Sequence, residues 1–231
     1  MSEQLQEKAA RLEMMHATRK AFADYVERNR GGDIKLTLAT GPHSIDGWFC
    51  TDIVPNAEKN IYYCDITQKF AFESESFDFI YCEHGIEHVT FESGLQCLSE
   101  CYRVLKKGGV LRISTPSLEK WINYYLVDSE AHDRATMLAT HIWLKNAKEC
   151  QLFSKCLVFN NAMRNWGHTI LYDFQTLERI LLGLKFTEVV SAGIGESRHA
   201  ALRDMERHCR DLNAVMKEYN AMEIMVLEAG K

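Results

Sequence analysis

Four short stretches of this sequence end in residues that can do chemistry: Ala39-Thr40-Gly41-Pro42, Thr51-Asp52-Ile53, Cys64-Asp65-Ile66 and Cys82-Glu83-His84-Gly85. If each closes a β-strand, the tips meet along one edge of a sheet, where open α/β folds bind their ligands. A carboxylate offers two oxygens and only acceptor lone pairs, so Asp52 beyond a second strand can accept from both hydroxyls of a ribose. Asp65 could accept from a base amino group, with Ile66 packed on the ring. Either acid alone could merely cap its turn; the two together point to a nucleoside. His84, Glu87 and His88 form an H-x-x-E-H stretch, the spacing with which inverted zinc peptidases bind metal through two histidines of one helical face. That chemistry needs a third ligand and a helix through the whole motif. His84 falls just past a strand end, so no metal is expected. Instead Glu87 and His88 are expected to pair and cap the helix leading into Phe91, leaving His84 to face the crevice. His168 and Tyr172 precede a further helix and could reach the same crevice.

The elements that must position these residues are legible from periodicity. Lys35–Ala39, Trp48–Ile53, Ile61–Cys64, Phe77–Cys82 and Val110–Thr115 are strand-sized runs rich in β-branched or aromatic residues. Leu95, Leu98, Tyr102 and Leu105 predict a helix over Ser93–Lys107 that Gly108-Gly109 closes. Leu5, Leu12, Met15, Phe22 and Val26 predict an amphipathic helix over residues 3–29. Between Pro116 and about Ile170 no strand is evident, but aromatics abound. Helices and loops forming a cap are expected there, most of their aromatics as plain core, with Tyr124 or Trp166 the first choice for a ring that meets the site. Asp173 should cap a helix over Phe174–Leu184. A strand Phe186–Ala192, a charged helix Glu196–Tyr219 and a terminal strand Met222–Glu228 complete the chain. The whole reads as one domain, 1–231, with an N-terminal helix (1–30) and a cap insertion (117–170). The links between the first three strands are too short for crossover helices and would ordinarily suggest hairpins.

Phe77-Asp78-Phe79-Ile80-Tyr81-Cys82-Glu83-His84-Gly85-Ile86-Glu87-His88-Val89, followed by the run from Glu100-Cys101-Tyr102-Arg103-Val104-Leu105-Lys106-Lys107-Gly108-Gly109 to Pro116, resembles the central segment of class I S-adenosylmethionine-dependent methyltransferases. It is most similar to small bacterial members with E-H-x-x-E-H and E-C-Y-R-V-L-K-x-G-G stretches. The resemblance implies an α/β, Rossmann-like fold: a mostly parallel seven-stranded sheet with an antiparallel last strand and a helical insertion as cap. It implies S-adenosylmethionine as cofactor, with Asp52 and Ile53 at the ribose, Asp65 and Ile66 at the adenine, and Cys82 and Glu83 lining the methionine end before His84. Of the glycine-rich loop usual after the first strand, only Gly41 remains. The parallel pairing of the first three strands rests on this resemblance. Methyl transfer is an in-line displacement that mostly needs alignment, with a general base only for a poor nucleophile such as a hydroxyl. His84 is the first candidate base, then His88 and His168. The expected activity is transfer of a methyl group to a small molecule, such as a sugar-linked metabolite. The alternatives are a non-catalytic binding module that lost cofactor affinity with its glycines, and a metal-dependent hydrolase.

Composition narrows the partners. The 231 residues carry 27 Lys and Arg against 32 Asp and Glu, a net charge of -5, so no basic field draws nucleic acid. No run approaches the roughly 18–20 apolar residues of a membrane span. The 8 cysteines lack a C-x-x-C pair and read as reduced thiols of a cytoplasmic protein. The charged terminal helices either meet solvent or form a homodimer face.

Overall fold

The computed structural model describes residues 3–207 and 214–231. Seven strands form one sheet: β1 (Lys35–Leu38), β2 (Phe49–Asp52), β3 (Ile61–Tyr63), β4 (Phe77–Glu83), β5 (Leu105–Pro116), β6 (Glu188–Ala192) and β7 (Ile224–Gly230). Their order is β3-β2-β1-β4-β5-β7-β6. The pairs from β3 to β5 are parallel, and β7 runs antiparallel to both β5 and β6. This is the α/β sheet the resemblance implied, including parallel pairing across the short links.

Those links need no crossover helix because another element covers the strands. Helix α1 (Glu3–Arg28) packs Phe22 against Phe49, Phe72 and Phe77 with ring centroids 4.8–5.3 Å apart, and its Tyr25 hydroxyl donates to the carbonyls of Lys35 and Gly47. Only the C-terminal half of α1 does this. Leu5 and Leu12, expected on its buried stripe, are more than half exposed.

The same face of the sheet is covered further along by α2 (Phe91–Val104) and α7 (Phe174–Gly183) through Cys97, Leu98, Leu177 and Leu181. Asp173 caps α7 as expected, accepting from the Thr176 N–H at 2.7 Å. Helix α2 ends earlier than its apolar spacing suggests, because Leu105 already pairs with Phe77 as the first residue of β5. Gly108 and Gly109 form an irregularity within β5 rather than a helix stop. A Cβ at Gly109 would stand 2.8 Å from the Asp78 carbonyl, so only glycine fits there.

On the opposite face, Trp48, Cys50, Tyr81 and Val110 meet Leu202 and Met205. The charged helix expected over Glu196–Tyr219 is not continuous. Residues 193–206 are turns around a short 3-10 segment (Ala200–Leu202), drawn inward because Glu206 and the Gly193 and Glu196 carbonyls all bind Arg112 of β5. The remainder of that stretch falls partly on residues 208–213, including His208, outside the described residues; helix α8 is described from Ala214 to Glu223.

The cap comprises α3 (Leu118–Leu126), α4 (Glu130–Trp143), α5 (Lys145–Glu149) and α6 (Lys155–Arg164). With α8 it encloses its own core of Trp121, Tyr124, Val158 and Tyr219. Among the described residues no helix is long and apolar enough to cross a membrane.

Candidate functional site

The C-terminal tips of β1 to β4 open onto one cleft of about 370 Å³, within the size range of small-molecule sites. It is lined by Asp65, Ile66 and Thr67 after the edge strand β3, by Asp52 and Ile53 at β2, by Gly41 after β1, and by His84 and His88 after β4. The two carboxylates thus share one cavity. Each is also held by its own turn. Asp52 accepts from the Gly41 and Val54 N–H groups at 2.8 and 2.9 Å, and Asp65 accepts from the Thr67 N–H and hydroxyl at 3.0 and 2.7 Å. Arg11 of α1 lies 3.9 Å from the second Asp65 oxygen. A carboxylate has about four lone-pair sites, so turn-capping and ligand-binding are compatible, and the turn bonds fix where the remaining lone pairs point.

The floor is built by close approach. Ala39 and His84, at the tips of β1 and β4, both take left-handed backbone conformations (φ +50° and +48°), which non-glycine residues rarely adopt and which recur at functional sites. Gly85 is required between them: a Cβ there would come within 2.9 Å of the Ala39 Cβ and 2.8 Å of the Cys82 sulfur. Gly41 (φ +65°) has open space where its Cβ would stand.

Two of the expected cofactor residues do not line the cleft. Cys82 and Glu83 close β4 with both side chains buried in packed surroundings. Cys82 is buried against the underside of Gly85. Glu83 is paired with Arg207 at 3.2 Å. The same guanidinium donates to the His43 and Thr40 carbonyls at 2.8 and 3.0 Å, and so clamps the loop that follows β1 in the absence of the usual glycines. Sequence reading missed Arg207, because its partners lie more than 120 residues away.

The histidine end also differs from the expected pairing. Residues 86–88 form a 3-10 turn, so His84 and His88 do not share a helical face. Thr90, not Glu87, caps α2 by accepting from the Ser93 N–H. Glu87 is fully buried and turns back to His84, whose Nδ1 lies 3.0 Å from its carboxylate; its other oxygen accepts from the Thr115 hydroxyl at 2.9 Å. Burial pulls the His84 pKa down, but the hydrogen bond and charge of Glu87 outweigh it and leave the imidazole above its ordinary range. Burial likewise pushes the Glu87 carboxyl up, and His84 brings it below the usual value. Nearby Glu223, at the end of α8, is pushed up to about 7 by desolvation, with the Glu87 charge adding to the rise.

His168 does arrive beside this group. The Thr169 N–H donates to the Glu87 carbonyl at 2.8 Å, and the His168 ring stands edge-on to His88 with centroids 4.8 Å apart. Its Nδ1 lies 2.7 Å from the Ala162 carbonyl, and burial lowers its pKa. Tyr172 is elsewhere: it is buried in the main core, where Gly94 leaves room for its hydroxyl. Of the two aromatic residues expected at the site, Tyr124 is wholly inside the cap core, whereas Trp166 is exposed and packs 5.7 Å from His168.

Residues 43–113, under a third of the chain, match a family described as "Methyltransferase domain". No protein of curated function matches the sequence. Among solved structures, the fold is shared with a SAM-dependent methyltransferase from Archaeoglobus fulgidus, at 15% identity and TM-score 0.50 over 94% of each chain. A 1,6-didemethyltoxoflavin-N1-methyltransferase from Burkholderia thailandensis aligns at 13% identity and TM-score 0.47, over 93% of this chain and 78% of its own.

Proposed function

We propose that this chain, which carries a methyltransferase domain on the fold of S-adenosylmethionine-dependent methyltransferases, binds S-adenosylmethionine in the cleft at the tips of β1 to β4 and methylates a small molecule. The observation that carries this reading is that Asp52 and Asp65, from neighbouring parallel strands, line one cavity together with two isoleucines. The residues lining the cleft fit the cofactor. Asp52 would take the ribose hydroxyls, Asp65 the adenine amino group, and Ile53 and Ile66 the apolar faces of the nucleoside. Gly41 would let the cofactor approach the backbone after β1, since nothing fills the space where its Cβ would be. Bound there, the cofactor supplies an activated methyl group. The chain's own part is to align the acceptor, exclude water and manage a proton.

His84 is the residue proposed for that proton. It lines the cleft, and its Nδ1 lies 3.0 Å from the Glu87 carboxylate, a contact of the kind that orients an imidazole in acid–base sites. Three imidazoles near one end of the cleft favour an acceptor whose hydroxyl must lose a proton, a class that includes sugars and sugar-linked metabolites. Free thiols throughout the described chain suit a reducing, cytoplasmic setting.

Calorimetric titration of the purified protein with S-adenosylmethionine tests the reading. Micromolar binding is expected, and Asp52→Ala should weaken it at least tenfold, or about 1.4 kcal/mol. Absence of heat at millimolar cofactor would overturn it in favour of a non-catalytic binding module.

A further inference from the structure

We propose that Glu87, His88 and His168 form a site for one divalent transition-metal cation at the acceptor end of the cleft. Each offers one ligand atom, and the three atoms lie within 4.8 Å of one another. Donors held about 2.1 Å from a common ion stand roughly 3–4 Å apart, so closing the site takes side-chain movements of about an ångström or less.

The surroundings are built as metal sites are built. The Ala162 carbonyl accepts from His168 Nδ1, which places the proton on that nitrogen and leaves Nε2 with its lone pair. This is the outer bond that orients metal-binding histidines. Glu87 is held from both sides by His84 and Thr115; each carboxylate oxygen has two lone pairs, so these partners leave room for a cation. The Thr169 N–H, bonded to the Glu87 carbonyl, fixes the loop carrying His168 to the turn carrying the other two ligands. Gly167, at φ +81°, gives that loop its left-handed turn beside the His88 ring. His88 is exposed, which gives the ion a way in, while the Glu87 side chain has no exposed surface.

Two imidazoles and one carboxylate suit Zn²⁺, Co²⁺, Mn²⁺ or Fe²⁺ better than Mg²⁺ or Ca²⁺, which prefer oxygen ligands throughout. A three-ligand set also keeps a position open for water or substrate. On the methyltransferase reading, which this second part alone rests on, an acceptor hydroxyl would take the open position and become more acidic there. The spacing that suggested two histidines of one helix is thus replaced by a set drawn from the turn after β4 and the loop before α7.

The test uses tag-free full-length protein, stripped with chelator and titrated with Co²⁺ while visible absorption is recorded. About one Co²⁺ per chain should bind, with the d–d bands of a site containing nitrogen ligands. His88→Asn, at an exposed position that the fold tolerates, and His168→Ala should each lower the affinity at least tenfold, with unchanged circular dichroism. Failure to bind Co²⁺ at millimolar concentration, or affinity unaltered in both variants, would overturn the site. Cofactor titration is run separately. Co²⁺ binding without S-adenosylmethionine binding would leave the cation site standing and remove the methyltransferase reading, and the reverse result would do the opposite.

Discussion

Strand β5 carries two buried polar clusters on its opposite faces, and they differ in kind. Arg112 projects to the face covered by residues 193–206; Thr115, three positions on, projects to the face covered by α2. Around Arg112 everything is closed. The guanidinium has no exposure, makes a bidentate contact to Glu206 at 2.7 and 3.0 Å, and reaches Glu228 at 2.6 Å. It also donates to the Gly193 and Glu196 carbonyls, so all five N–H groups are engaged. Around Thr115 the carboxylate of Glu87 is equally buried, yet its partner His84 lines a cleft. Buried charge alone therefore does not mark a functional site in this molecule. Access from solvent is what separates the two clusters, and the saturated one serves to tie β5, β7 and the 193–206 turns together.

The sharpest way to break this comparison is to open the closed cluster. Arg112→Met leaves two buried carboxylates without their cation and should cost about 3–5 kcal/mol, read as a lower urea midpoint. The cation affinity at Glu87, His88 and His168 should be unchanged in the fraction that folds. If Arg112→Met were neutral in stability, the cluster would not be the tie described.

The cleft side can be disturbed with a smaller effect on folding. Gly85→Ala drives a methyl group into Ala39 and Cys82 and should cost about 1–3 kcal/mol, with weakened S-adenosylmethionine binding by calorimetry. Stability lost with cofactor affinity intact would show that the Ala39–Gly85 approach does not shape the site.

A third ion pair separates structural charge from chemistry by its pH dependence. Glu100 accepts from the Phe70 N–H at 2.8 Å and pairs with Arg103 at 2.6 Å. Burial alone would raise its pKa, but Arg103 and the Phe70 N–H bring it below the ordinary carboxylate range. A depressed folded-state pKa contributes stability above the unfolded value of about 4.3 that is lost as pH falls through the folded value. Glu100→Gln should therefore flatten the acid limb of urea midpoints measured against pH. A limb as steep as that of the unaltered protein would remove Glu100 from acid unfolding.

The smallest effect is expected in the cap. Tyr124→Phe removes a 2.6 Å hydrogen bond to Thr136 and should cost about 1 kcal/mol in thermal or urea melts. Cofactor affinity should not move, and a shift there would place the cap core in communication with the cleft.

Much of the cleft wall was legible because its residues are local to strand ends. An acid one residue past an apolar run stays at the strand tip whatever the rest of the chain does, and so Asp52, Asp65 and His84 could be read from the sequence. The E-C-Y-R stretch was legible as a signature but not in its role. Glu100 and Arg103 hold the 70–72 segment, Arg103 donating to the Phe72 carbonyl at 2.9 Å, and they touch no part of the cleft. Cys82 and Glu83 stand at a strand end too, but one packs against Gly85 and the other pairs with Arg207, partners that a local pattern does not reveal. The charged pattern of Glu196–Tyr219 suggested a helix because local charge spacing carries no sign of a buried arginine 84 to 94 residues earlier.

The amino-acid sequence by itself determined the order of strands and helices, the acids at the strand tips and the aromatic content of the cap, since these depend on periodicity and short-range propensity. Only the tertiary structure decided that Glu87 turns to His84, that His168 joins His88, and that Arg207 stands in for the missing glycines. Each of these is a pairing across tens to more than a hundred residues, or a turn of the backbone by one residue, settled by which buried polar groups find partners when the sheet and its coverings close.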